Sequence, residues 1–190
     1  MRQFSLSTAM DGECYDLLMR IRPAELADSE AIAVIHVRSW QAAYQGLVPQ
    51  QYLDGMTSSQ RQPGWERLLA KTSWPWEGIL VAEFDGSVAG FTGFGPTRDR
   101  DENSATVAEI TTIYLAPEFW GAGVGRQLMT MALETMAQAG YEKATLWVLE
   151  ANVRARRFYE SNGWHSDGSV KQDETRGFAL TEIRYRRVVN

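Results

Sequence analysis

Gly121, Gly123 and Gly125 stand at alternate positions in Pro117-Glu118-Phe119-Trp120-Gly121-Ala122-Gly123-Val124-Gly125-Arg126, between a β-like run and an amphipathic helical pattern. Lacking Cβ atoms, such a turn lets the backbone come close to a ligand and aims successive N–H groups at one point. The N-terminus of the following helix adds partial positive charge there. This chemistry suits a phosphate, with Ala122, Val124 and Arg126 supplying further N–H donors. Asn152 and Tyr159 are seven residues apart in a second helical pattern. At about 1.5 Å per residue they lie roughly 10 Å apart on one stripe, so both can line one elongated ligand. Ala155 and Phe158 share that inward face, and Arg154 and Arg157 are expected on the opposite side. Glu109 is an acid within a β-like run. Trp40, Tyr44, Trp74 and Trp76 suit either an amine held by cation–π contact or packing in a core or subunit interface.

The elements that must hold these residues can be read from periodicity and turn chemistry. A first strand fits Leu18 to Arg22, and Asp28 is positioned to N-cap a helix that turns Ile32, Ile35 and His36 inward and runs toward Trp40 and Tyr44. Gly46 and Pro49 break it, Gln50 to Met56 reads as a short helix, and another piece covers Trp65 to Lys71 before Trp74-Pro75-Trp76 interrupts. Ile79 to Phe84 and Ser87 to Phe94 flank Asp85-Gly86, a hairpin signal, and Thr106 to Leu115 reads as the next strand. After the glycine turn, Leu128, Met129, Ala132, Leu133 and Met136 recur on one helical face and Gly140 supplies a stop. Ala144 to Leu149 is β-like, Asn152 to Asn162 helical up to Gly163, and β-like runs around Trp164 to Val170 and Phe178 to Val188 close the chain. The mixture predicts one α/β sheet of mixed direction in a single domain over residues 19–190. Residues 1–18, which hold the one cysteine, Cys14, read as an N-terminal extension without a chemical role.

The formal charge of −5 and the pI near 5.1 argue against nucleic acid or an anionic membrane as partner, so any anion site must be local. Hydrophobic residues make up 44% of the chain without an apolar run of roughly 18, which argues against a membrane span. A lone cysteine and the lack of a continuous apolar core near the start point to the cytoplasm. His36 and His165 lack metal-ligand spacing, and no metal is expected.

The glycine turn is not a P-loop, because Arg126-Gln127 follow Gly125 where Lys and a hydroxyl residue are needed. A Rossmann turn fits less well than its glycines suggest. The spacing is Gly-x-Gly-x-Gly, and Pro117 to Trp120 separate strand from glycine, although Glu150 ends the next strand where a ribose-binding acid stands in that fold. The run Glu109-Ile110-Thr111-Thr112-Ile113-Tyr114-Leu115-Ala116-Pro117 followed by Trp120-Gly121-Ala122-Gly123-Val124-Gly125 resembles the strand and acetyl-CoA loop of the GNAT superfamily of N-acetyltransferases. Trp120 stands where Arg or Gln is usual. Asn152-Val153-Arg154-Ala155-Arg156-Arg157-Phe158-Tyr159-Glu160-Ser161-Asn162-Gly163-Trp164 is similar to that family's Asn-x-x-Ala-x-x-Phe-Tyr-x-x-x-Gly-Phe segment, in the expected order along the chain.

The resemblance implies a mostly antiparallel sheet flanked by helices and, as cosubstrate, acetyl-CoA with its pyrophosphate over residues 121 to 126. It implies contact of Asn152 with pantetheine or pyrophosphate, Phe158 beside the cofactor, and Tyr159 as general acid toward the departing sulfur; an N-cap, a core phenylalanine and a core tyrosine are the plain readings of Asn152, Phe158 and Tyr159. Ile113, Tyr114 and Leu115 would pair their backbone with pantetheine, one N–H near Ile113 polarising the thioester carbonyl. Glu109 occupies a strand position that serves some members as general base, directly or through water; otherwise it is a solvated strand glutamate. The acceptor would be a primary amine of a small molecule or peptide, placed near Trp40, Tyr44, Trp74 and Trp76. The competing reading is a non-catalytic acyl-CoA-binding module. Oligomeric state is left open, a homodimer included.

Overall fold

A computed structural model of the chain describes residues 19–189; Cys14 and the extension read over residues 1–18 lie outside the described residues. Seven strands, β1 (Met19–Pro23), β2 (Gly78–Phe84), β3 (Ser87–Pro96), β4 (Val107–Leu115), β5 (Lys143–Leu149), β6 (His165–Asp173) and β7 (Leu180–Val188), form one sheet. Its order is β1-β2-β3-β4-β5-β7-β6, and every pair is antiparallel except β4–β5. The helices are α1 (Ser29–Ala43), α2 (Gln50–Asp54), α3 (Ser58–Leu69), α4 (Val124–Gln138) and α5 (Val153–Ser161). None of them is long and apolar enough to cross a membrane.

The sheet is covered on both faces, which explains why β2 and β3 read as continuous apolar runs. Ile79 and Val81 of β2, with Phe91 of β3, pack against Ile32, Ala33 and Ile35 of α1 and Trp65 and Leu69 of α3. The alternate residues Leu80 and Ala82, with Phe94, Ile110 and Leu146, meet Leu128, Met129, Ala132, Leu133 and Met136 of α4. Leu128 is fully buried there. Leu128→Ala is expected to cost about 2–5 kcal/mol, read as a lower urea midpoint with an unchanged slope.

One irregularity shapes the site. Gly93 pairs with Thr112 and Phe94 with Ile110, so Thr111 is an extra residue on β4. A bulge bends the strand that carries it. The parallel β4–β5 ladder ends at Ile110↔Leu146, and Ile113 to Leu115 then diverge from Trp147 to Leu149, leaving one edge of β4 unpaired.

Two local expectations are corrected. Asp28 does not cap α1 with its side chain; it accepts from Arg22 at 2.7 and 2.9 Å and from the Glu25 N–H at 2.7 Å. α3 begins seven residues earlier than its apolar pattern suggests, capped by the Thr57 hydroxyl, and runs through Pro63, whose ring stays on the exposed side. The charged segment after Arg98 is held to the sheet. Arg184, only 3% exposed, binds Asp99, Asp101 and Asp167, and Arg186 pairs with Glu102, tying the segment to β7.

Candidate active site

The glycine turn separates into two jobs. Gly121 and Gly123 have φ of 82° and 85°, a left-handed conformation that favours glycine, and Gly123 sits at the N-cap of α4. A Cβ at either would meet no atom within 4 Å, so the requirement is backbone shape and not space within the protein. Gly125 is different. It lies in the first turn of α4, and its Cβ would come within 3.3 Å of the Phe158 ring and 3.4 Å of Leu115. It lets α4 pack against α5 and β4.

No described residue accepts a hydrogen bond from the N–H of Gly121, Ala122, Gly123, Val124 or Gly125, whereas the Arg126 N–H already binds the Gly123 carbonyl at 3.0 Å. Arg126 lines the cavity, but its N–H is already engaged. Val124 is buried in the core and Ala122 packs against it, so these two offer backbone alone. Gly123→Val should impose about 1–2 kcal/mol of left-handed strain and turn the free donors aside. Calorimetry is expected to show at least about tenfold weaker CoA binding.

On α5, Asn152 is the N-cap, its Oδ1 accepting from the Ala155 N–H at 3.0 Å, while its Nδ2 donates to no described residue. Tyr159 is 8% exposed and packs on Phe158, Trp164 and Tyr185. Its hydroxyl makes no hydrogen bond to a described residue, and burial, with Tyr114 nearby, pushes its pKa well above the usual tyrosine value. Phe158 is partly buried and shared between core and site. Arg154 is not on the far side of α5. It stacks on the Trp120 ring at 3.8 Å, and the Trp120 indole N–H donates to the Leu115 carbonyl at 3.1 Å. Trp120 thereby locks the turn to β4.

Glu109 is buried at 2% exposure, not solvated. Its carboxylate accepts from the Arg98 Nε at 2.9 Å, Nη2 at 2.5 Å and backbone N–H at 3.2 Å. A carboxylate offers about four lone pairs, so one remains on Oε1.

Trp40, Tyr44 and Tyr114 bound the other end, with Tyr44 against Trp40 at 4.5 Å and His36 stacked on Tyr114 at 5.2 Å. Trp74 and Trp76 do not line it. Trp74 packs edge-on against Phe94 and beside Gly78, and the exposed Trp76 offers its carbonyl to the Tyr141 hydroxyl. His36 Nδ1 accepts from the Trp65 indole, and burial, followed by the nearby Arg61 and Arg176, lowers its pKa to about 4. The unfolded chain therefore takes a proton near pH 6.5 that the folded one refuses, and stability should fall as pH drops from about 6.5 toward 4. His36→Gln is expected to flatten that stretch of the stability curve in urea titrations.

One cavity of about 970 Å³ is lined from Gly121, Gly123 and Arg126 past Asn152 and Tyr159 to Glu109, Trp40 and Tyr44. Arg98, Arg154, Arg176 and Glu182 also line it. Sequence reasoning missed their roles because charged residues in loops and at strand ends carry no period that marks them.

The sequence profile of the acetyltransferase (GNAT) family matches residues 40–164. The chain belongs to the GNAT family of acetyltransferases. It is 32% identical over 169 residues to the uncharacterized N-acetyltransferase YuaI of Bacillus subtilis, covering 87% of this chain and 91% of that one. Phosphinothricin N-acetyltransferase of Streptomyces viridochromogenes is 27% identical over 158 residues, 80% of this chain and 78% of its own. The GNAT fold is shared with the PaiA N-acetyltransferase of Thermoplasma acidophilum, solved with coenzyme A, at a TM-score of 0.70 and 20% identity over 90% of this chain and 98% of that one. YncA of Salmonella typhimurium, solved with acetyl-CoA, matches at 0.66 and 22% over 90% and 94%.

Proposed function

We propose that this acetyltransferase moves an acetyl group from acetyl-CoA directly to a primary amine of a small molecule or peptide, both held in one ternary complex. The observation that carries this reading is the single cavity joining the free N–H groups of residues 121 to 125 to the aromatic end, with Tyr159 and Glu109 between. Its volume is within the range of small-molecule sites, about 300–1,000 Å³.

The residues present suit acetyl-CoA. The five free N–H groups at the N-terminus of α4 fit a pyrophosphate, with Arg126 adding charge. The unpaired edge of β4 over Ile113, Tyr114 and Leu115 and the unused Nδ2 of Asn152 fit an amide-bearing arm, and an N–H near Ile113 fits a polarised carbonyl. Acetyl-CoA supplies an activated thioester. In the transfer the new C–N bond replaces the C–S bond, the amine proton leaves toward Glu109, and the sulfur is left needing a proton. Glu109, already held by Arg98, takes the amine proton through water on its remaining lone pair. Tyr159 stays protonated at neutral pH and donates to the sulfur. Its raised pKa also makes it a reluctant acid beside a thiol near 8.5, so its contribution is mainly a hydrogen bond to developing charge.

The test is a panel of amines with acetyl-CoA, read by thiol release and by mass spectrometry of the acceptor. Acetylated amine is the expected product. CoA binding by calorimetry without product from any amine would support the non-catalytic acyl-CoA module.

A further inference from the structure

The aromatic end of the cavity already contains a cation. Arg176, from the turn between β6 and β7, holds its guanidinium over the Trp40 ring at 5.3 Å. It donates one hydrogen bond, to Asp173, whose carboxylate also accepts from the Thr175 N–H and hydroxyl. A guanidinium carries five N–H donors in a planar fork, so most of those on Arg176 remain open to the cavity it lines. Beside it, Arg61 donates to the Tyr52 hydroxyl at 3.2 Å and keeps a buried Nε without a partner. His36 is neutral here, and Lys171 and Glu182 pair with each other at 3.2 Å.

A cationic acceptor group on the Trp40 face would meet Arg176 first, and like charges in a partly enclosed site repel strongly. A carboxylate meets the opposite field and a fork of matching geometry, with the cavity-lining rings of Trp40 and Tyr44 beside it to receive an apolar remainder. We infer that Arg176 anchors an anionic group of the acceptor, so that the substrate is a small amino-carboxylate and not a simple amine or a lysine-like dication. This rests on the amine-acetyltransferase reading above and names the substrate class of the same site.

Matched acceptors test it: phenylalanine, phenylalaninamide and phenethylamine, with the corresponding methionine set, each assayed by mass spectrometry of the acetylated product. The carboxylate member is expected to exceed its partners in kcat/KM by about 10- to 100-fold, the span of a charge-assisted hydrogen bond. Arg176→Ala should bring it down to their level, Arg176→Lys should restore part of the preference, and CoA affinity by calorimetry should not change. Equal or better use of the uncharged partners by the wild type, or a preference that survives in Arg176→Ala, overturns the inference while leaving amine acetylation standing. Failure of every acceptor with CoA bound overturns the transferase reading, and the inference with it.

Discussion

Tyr159→Phe is expected to lower kcat by about 10- to 100-fold while leaving CoA affinity within about threefold, because the ring and its packing remain and only the donor is lost. The low end of the acid–base range applies for two reasons. A thiolate is a good leaving group, and burial holds the Tyr159 proton tightly. The ring is embedded among Phe158, Trp164 and Tyr185, so a change in stability should be small and a change in turnover is attributable to the hydroxyl. Single-turnover rates separate chemistry from product release. An unchanged single-turnover rate would reduce Tyr159 to a packing residue.

Glu109→Gln should cut turnover at neutral pH by about 10²-fold, with much of the loss recovered as rising pH supplies neutral amine. The amide retains an oxygen that can accept from Arg98, and the Arg98 side chain is 70% exposed, so water can solvate the charge it loses. The strand should therefore persist. Circular dichroism and CoA calorimetry serve as controls, and a mutant pH–rate profile that overlays the wild type would assign proton removal to another group or to solvent.

The glycine turn and the inward face of α5 were legible because their determinants are local. Alternating glycines, an N-cap asparagine and a seven-residue spacing on one helix all act within a turn or two. Even there the reading merged two causes, since Gly121 and Gly123 serve a left-handed backbone while Gly125 serves the contact with Phe158. The end of the cavity around Glu109 and Trp40 depends on contacts between distant residues. Arg98 finds Glu109 only because β3 and β4 pair, and Arg176 reaches Trp40 across more than half the chain. Trp74 and Trp76 were plausible by residue type, but Trp74 packs edge-on against Phe94 and Trp76 is exposed, and neither lines the cavity. The β2–β3 hairpin was legible from Asp85-Gly86, whereas the order of the whole sheet and the Thr111 bulge that opens β4 from β5 have no mark in the sequence.

The central claim is that donor and acceptor occupy one cavity together and the acetyl group passes between them without resting on the protein. Initial rates over a grid of acetyl-CoA and acceptor concentrations test it most directly, with intact-protein mass spectrometry after exposure to acetyl-CoA alone. The account predicts intersecting double-reciprocal lines and an unmodified chain; parallel lines together with an acetylated enzyme that passes its acetyl group to the amine would contradict it.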